Sequence, residues 1–241
     1  MKNDKYILTD ETVMHFGVTL HRIKAIKSFG NVSKGDIGGY IEKESNLSTN
    51  GNAWVYGDAR VYGDACVYGD ARVYGDARVF GDASVYGNAE VFGDARVFGD
   101  AEVFGDAWVY GDASVYGGAR VYGDACVYGD ACVYGDACVY GDAWVYGGAR
   151  VYGDAWVYGD ARVSSKCSVT PITFLGLSYN VTVIDGHIRI GCECHTISQW
   201  DKMSKKKISE MDHGALQWWE TYKASIMRIA KEHRKTVKSW G

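Results

Sequence analysis

From Gly51 to Ser164 the chain repeats one six-residue unit, Gly-Asp-Ala-x-Val-Tyr, nineteen times without an insertion or a deletion. A unit this short cannot bury a core alone, so the copies must stack on one another. Within each unit Ala-x-Val-Tyr has the alternation of a β-strand, with Ala and Val on one face and x and the aromatic on the other. The x position holds seven Arg, two Glu, four Cys, four Trp and two Ser. Arg and Glu cannot enter a core without a partner, so Ala and Val must point inward. Gly-Asp then makes the corner: Gly permits positive φ, and Asp is expected to close the turn by bonding its own backbone. The chain has 31 Gly but one Pro, Pro171, which excludes collagen and argues against a Pro-rich linker.

Ala-x-Val-Tyr-Gly-Asp resembles the hexapeptide repeat of left-handed parallel β-helices. That resemblance implies a mainly β, triangular solenoid with three hexads per coil. The segment Gly38 to Ser48, followed by Gly51-Asn-Ala-Trp-Val-Tyr56, is similar to the opening of uncharacterised bacterial and phage or prophage hexapeptide-repeat proteins, some of them labelled acyltransferases. Six coils at roughly 4.8 Å per stacked strand give a rod about 30 Å long.

Three hexads per coil sort the outward residues onto three faces. The first carries Trp54, Arg72, Glu90, Trp108, Cys126, Trp144 and Arg162. The second carries Arg60, Arg78, Arg96, Ser114, Cys132 and Arg150. The third carries Cys66, Ser84, Glu102, Arg120, Cys138 and Trp156. Cys126, Cys132 and Cys138 therefore fall on different faces and are not expected to form a disulfide or a metal site. Arg60, Arg78 and Arg96 stack as a positive stripe, which either neutralises corner Asp residues or binds an anionic partner. The fifteen corner Asp residues close turns or, alternatively, line a cation column. Tyr or Phe ends eighteen of the nineteen hexads, so an aromatic ladder on every face reads as an interaction surface.

Residues 1–50 read as an N-terminal β cap. Strands are expected at Tyr6–Thr9 and within Val18–Phe29, then a Gly-dense connector over Lys34–Ile41. A weak hexad, Ser45–Asn50, puts Leu47 in the Ala position. Residues 51–170 are the β-helix, ending in a degenerate hexad with Cys167 and Val169 in core positions. Residues 171–241 read as a C-terminal α+β unit. Asp185-Gly186 signals a hairpin, and Ile188, Ile190, Cys192 and Cys194 are expected to alternate inward, with His187 and His195 together on the other side. A short helix follows from Thr196. A longer one spans about Gly214 to Arg234, with Leu216, Trp219, Tyr222, Ile226, Ile229 and His233 in one stripe.

Net charge is -4. Residues 51–170 carry 17 acidic and 8 basic residues, and residues 171–241 carry 7 and 11. An acidic rod without a basic stripe along its length is not a duplex-DNA binder. No run of about 18 apolar residues suggests a membrane span. No signal peptide is visible, and seven Cys without a pairing pattern suit the cytoplasm.

These features point to a non-catalytic scaffold or interaction protein of phage or prophage type. It is expected to bind a protein or an anionic ligand through Arg60, Arg78, Arg96, Arg150, Trp54, Trp108 and Trp144, or through its C-terminal unit. The resemblance implies side-by-side homotrimers. It also offers an acyltransferase reading, which requires a His general base near a subunit cleft. Residues 51–170 hold no His and no inserted loop, so no catalytic residue, cofactor or metal is assigned. A further alternative is a phage anti-defence protein that mimics nucleic acid or sequesters a nucleotide.

Overall fold

The computed structural model describes residues 3–164, 166–167, 170–174, 177–184 and 186–239. Each hexad contributes a short strand centred on its x-Val pair. Every strand pairs in parallel with the strand three hexads on: Arg72 with Glu90, Glu90 with Trp108, Trp108 with Cys126. Three parallel sheets result, each built from one of the outward faces read from the sequence. The array is a three-sided β-solenoid.

Its backbone is satisfied from coil to coil. Arg72 N–H donates to Ala89 O at 2.9 Å, Tyr74 N–H to Val91 O at 3.0 Å, and Asp76 N–H to Gly93 O at 2.9 Å. Every Ala and Val of the repeat, from Ala53 to Val163, is fully buried in one continuous core. At the corner, Gly93 has φ 70°, and a Cβ there would sit 3.0 Å from the Gly111 nitrogen of the next coil. Glycine is thus required twice over, by dihedral and by space.

The corner Asp residues do not act as expected. Among the described residues, no corner Asp side chain accepts a bond from its own turn. The positive-φ Gly already makes the bend, and at Asp70, Asp76, Asp82, Asp106 and Asp136 the Asp N–H is spent on the Gly carbonyl of the next coil. The carboxylates point to solvent. Two of them accept bonds from an Asn one coil earlier: Asn52 Nδ2 to Asp70 at 2.8 Å and Asn88 Nδ2 to Asp106 at 3.0 Å.

The entrance is a lid that extends the second-face sheet. Strands Tyr6–His15 and Val18–Ala25 form an antiparallel hairpin, turning at Phe16 and Gly17 with φ 48° and 83°. The expected connector is in fact a strand, Ile37–Ile41, pairing antiparallel with Val18–Ala25 and parallel with Arg60–Val61. Its Ile41 stacks on Val61, so parallel stacking begins ahead of Gly51. Leu47 pairs with Val67 and therefore fills a Val position, not the Ala position. Its buried neighbour Asn46 bonds Gly63 O and Ala65 O. Tyr6 seals the first coil, donating its hydroxyl to Glu44 O at 2.9 Å and Leu47 O at 2.8 Å. Lys5 is fully buried and donates to Ser48 O at 3.0 Å and Ala53 O at 2.8 Å.

The exit mirrors this. Cys167 pairs with Val151 and again takes a Val position, because the last coil is two residues short. Val169 lies outside the described residues. An antiparallel sheet follows, ordered Ile172–Phe174, Val181–Ile184, His187–Ile190, Glu193–Thr196. Ile184 pairs with His187 across the expected hairpin, whose Asp185 lies outside the described residues. Strand Val181–Ile184 is buried on both faces. Ile184 joins the solenoid core and plugs its open end, while Val181 and Val183 pack against the helices.

The chain does not run on inward through Cys194. Gly191, at φ 57°, turns it back, so Glu193–Thr196 returns beside His187–Ile190. Cys192 is exposed. His195 is paired with Ile188 and His187 with Thr196, which separates the two His onto opposite sides. Helix α1 is Ile197–Lys202, capped by Thr196 and Gln199 in a reciprocal capping box. A short α2, Lys205–Ser209, was not expected from the sequence. Helix α3 is Ala215–Ser239; it buries Trp219, Ile226, Met227, Ala230 and His233, while Leu216, Tyr222 and Ile229 are only partly buried. His233 Nε2 lies 3.1 Å from Thr170 O and ties α3 to the end of the array. Among the described residues no helix is long and apolar enough to cross a membrane.

Candidate functional site

In-register stacking brings like residues together in columns, and the columns behave differently by chemistry. The aromatics form three stacks. Beside the second face run Tyr62, Phe80, Phe98, Tyr116, Tyr134 and Tyr152, with ring centroids 4.8 to 5.2 Å apart and planes within 10°. Equivalent stacks start at Tyr68 and Tyr74. The rings bury each other's faces, and of all of them only Tyr68 and Tyr158 stand among the exposed large hydrophobic residues. The expectation of a broad exposed aromatic surface is therefore corrected. A strand spacing near 4.8 Å is also a ring-stacking distance, so most of that area is consumed within the rod.

The outward Trp residues divide. Trp54, expected to be outward and available, is 1% exposed. It occupies the first face in register with Arg72, but the entrance hairpin folds over it. Tyr6 and Phe29 pack edge-on at 6.1 and 5.4 Å, and Gly38 approaches its ring closely enough to leave no room for a Cβ. Trp108 stays 47% exposed. Trp144 is covered by the Arg162 guanidinium, 4.2 Å from its ring centroid. Trp156, on the third face and not among the expected site residues, is 51% exposed.

The Arg columns also divide. On the first face Arg72 bonds Glu90 at 3.1 Å, and Tyr74 donates to the same carboxylate at 2.6 Å. The Tyr74 hydroxyl is consequently pushed far up, by burial first and then by Glu90. On the second face Arg60 pairs with Arg78 and Arg78 with Arg96, as the sequence spacing required. None of the three forms an ion pair within 4.0 Å of a carboxylate, although corner Asp residues flank them. The Nε atoms of Arg60 and Arg78 are buried without an acceptor. Arg150 lies on the same face but is separated from the stripe by Ser114 and Cys132.

The entrance hairpin closes one end of this stripe. His15 packs edge-on to Tyr62 at 5.4 Å, and its Nε2 is buried without a partner. Burial first, then the charges of Arg60 and Arg78, hold its imidazole below the usual range. Phe16 packs beside it, with ring centroids 4.5 Å apart, and is 85% exposed. Just above, Arg22 lies 4.2 Å over the Tyr40 ring and is neutralised by Glu11 at 2.8 Å and Asp58 at 3.5 Å. The free stripe thus starts where Arg22's carboxylate partners stop. Sequence reasoning found the stripe by period alone. It gave His15 and Phe16 no place at the stripe, because their position depends on the hairpin folding back across the first coils.

Cys126, Cys132 and Cys138 sit in three different sheets, as their spacing required, and none of the three is in a disulfide.

Compared with known families, the chain matches the sequence model described as YdcK beta solenoid repeat at residues 53–69, 71–87 and 149–165. No curated protein matches the chain.

Proposed function

We propose that this β-solenoid is a non-catalytic binding protein that receives an anionic partner along its second face. One observation carries the reading: Arg60, Arg78 and Arg96 are stacked in consecutive coils without a carboxylate partner. Like charges placed directly opposite on neighbouring strands are destabilising, and leaving guanidinium N–H groups buried without acceptors adds to that cost. A carboxylate- or phosphate-bearing partner would relieve both. Arg is suited to the task because its planar fork binds such groups bidentately. Exposed Phe16 at the head of the stripe would give the partner an apolar anchor.

The test uses a fluorescently labelled oligoglutamate peptide, with oligolysine as control, at low salt. The whole protein should bind oligoglutamate in a salt-sensitive way. The triple variant R60Q/R78Q/R96Q should lose most of that binding while keeping its circular dichroism. Equal binding by the triple variant, or no binding by the wild type, would refute the proposal.

A further inference from the structure

At the far end of the molecule from the lid, the C-terminal unit contains a recess enclosing about 180 Å³. Its floor is made of buried Trp200, Trp219 and Ile208. Trp200 is fixed there, because its Nε1 donates to Ile188 O at 2.7 Å. Two walls stand nearly at right angles: Tyr179 and Trp218 have ring centroids 5.2 Å apart and an interplanar angle of 86°. Trp200 and Trp219 meet at 5.0 Å and 38°. Four aromatic rings thus converge on one small space.

The charge of the lining is the second observation. The C-terminal unit is basic overall, with 11 Lys and Arg against 7 Asp and Glu in residues 171–241. Yet among the described residues lining the recess there is no Lys, Arg or His, and the charged ones are two carboxylates, Glu193 and Asp212. Asp212 accepts from the Tyr179 hydroxyl at 2.7 Å and from the His213 backbone N–H at 2.7 Å. Those bonds hold it below the usual carboxylate range, so it is ionised at neutral pH. Glu193 is hydrogen-bonded to His195 Nε2 at 2.8 Å.

We propose that this recess binds the methylated ammonium group of a small organic cation, with the rings of Tyr179, Trp200, Trp218 and Trp219 as the cage and Asp212 and Glu193 as counter-charge. Ring faces attract a cation through their quadrupole, most strongly when the cation is desolvated. A methylated ammonium suits an apolar cage better than a primary one, because it has few or no N–H groups to leave unsatisfied. Size also selects: drug-sized ligands fill pockets of about 300–1,000 Å³, so a recess of about 180 Å³ fits a head group and little more. This site is independent of the Arg stripe.

The experiment titrates the intact protein with choline and, separately, with its uncharged isostere 3,3-dimethylbutan-1-ol, following tryptophan fluorescence. Choline should bind at least about tenfold more tightly than the isostere, the ratio expected from a desolvated cation over an aromatic face. The double variant E193Q/D212N, which preserves side-chain volume, should weaken choline several-fold and leave the isostere unchanged. W218L should weaken choline further, with circular dichroism checking that the fold survives. A trimethyl-lysine peptide tests the source of the ammonium: weaker binding than choline supports a free small cation, and tighter binding would overturn that assignment in favour of a protein side chain. Equal affinity for choline and the isostere would overturn the proposal, as would no response to choline, or choline binding untouched in both variants.

Discussion

Lys5 offers the sharpest test of how the lid is held. Its ammonium is fully buried, bonded to Ser48 O and Ala53 O, and 4.6 Å from the Phe29 ring centroid. Burial, the largest cause, and the nearby charge of Lys27 bring its pKa from 10.5 down to about 8. Because the folded value lies below the unfolded one, the unfolded chain binds more protons between those two values. Stability must therefore rise with pH across that window. From about pH 7 to about pH 9.5 the expected gain is about 2 kcal/mol. The neutral amine keeps its donors, so both carbonyls stay satisfied as the charge is lost. In Lys5→Met the same carbonyls are orphaned, at about 1–3 kcal/mol, but the buried charge is gone. The two changes nearly cancel at neutral pH. At the higher pH the variant should fall about 2 kcal/mol further behind the wild type. Urea denaturation of both proteins at the two pH values measures this, and comparing them removes the Cys and Tyr ionisations they share. A wild-type-minus-variant gap that does not change with pH would show that Lys5 is not the buried cation described.

Three further outcomes are expected. Gly93→Ala and Gly147→Ala both place Ala at positive φ, at about 1–2 kcal/mol; a Cβ at Gly93 also meets the Gly111 nitrogen at 3.0 Å, whereas at Gly147 it meets nothing within 4 Å, so urea midpoints should fall distinctly further for Gly93. Trp54→Ala should cost about 3–5 kcal/mol because the ring is sealed under the lid, while Trp108→Ala should stay near 1 kcal/mol or below; equal losses would contradict the burial of Trp54. His15, depressed by burial and by Arg60 and Arg78, makes the fold less stable as pH drops through the imidazole range, since the unfolded chain takes up its proton first; R60Q/R78Q should raise its pKa in an NMR titration, and an unmoved value would place the stripe too far from His15 to matter.

The array was legible because its two periods are both local. Alternation within Ala-x-Val-Tyr assigns inside and outside, and the six-residue repeat assigns the column, so the second-face order Arg60, Arg78, Arg96 followed directly. The ends were not legible because their positions are set by non-local packing. Leu47 and Cys167 look like Ala-position residues by counting, yet each takes a Val position after a two-residue change in coil length. Trp54 repeats the pattern of Trp108 but is covered by residues brought from Tyr6, Phe29 and Gly38. In the C-terminal unit, Gly191 reverses a strand that alternation alone extends to Cys194. The recess was invisible for the same reason: Tyr179, Glu193, Asp212 and Trp218 are scattered in sequence, and only the sheet and α3 bring them together.

A column of identical residues is a test of whether repetition serves stability. For Tyr and Phe it does, since each added ring stacks on the last at about 4.9 Å. For charges it does not, and elsewhere in the rod opposite signs are set against each other: Arg72 faces Glu90, and Glu102 faces Arg120. The second face breaks this rule over three successive coils, with acidic corners alongside that its Arg side chains do not engage. A rod under selection for stability alone would replace Arg78 with Glu and gain two opposite-sign cross-strand pairs. Local rules of this kind are typically broken where a surface has another task, which makes Arg78 the position where exchange for Glu should raise stability and abolish binding together.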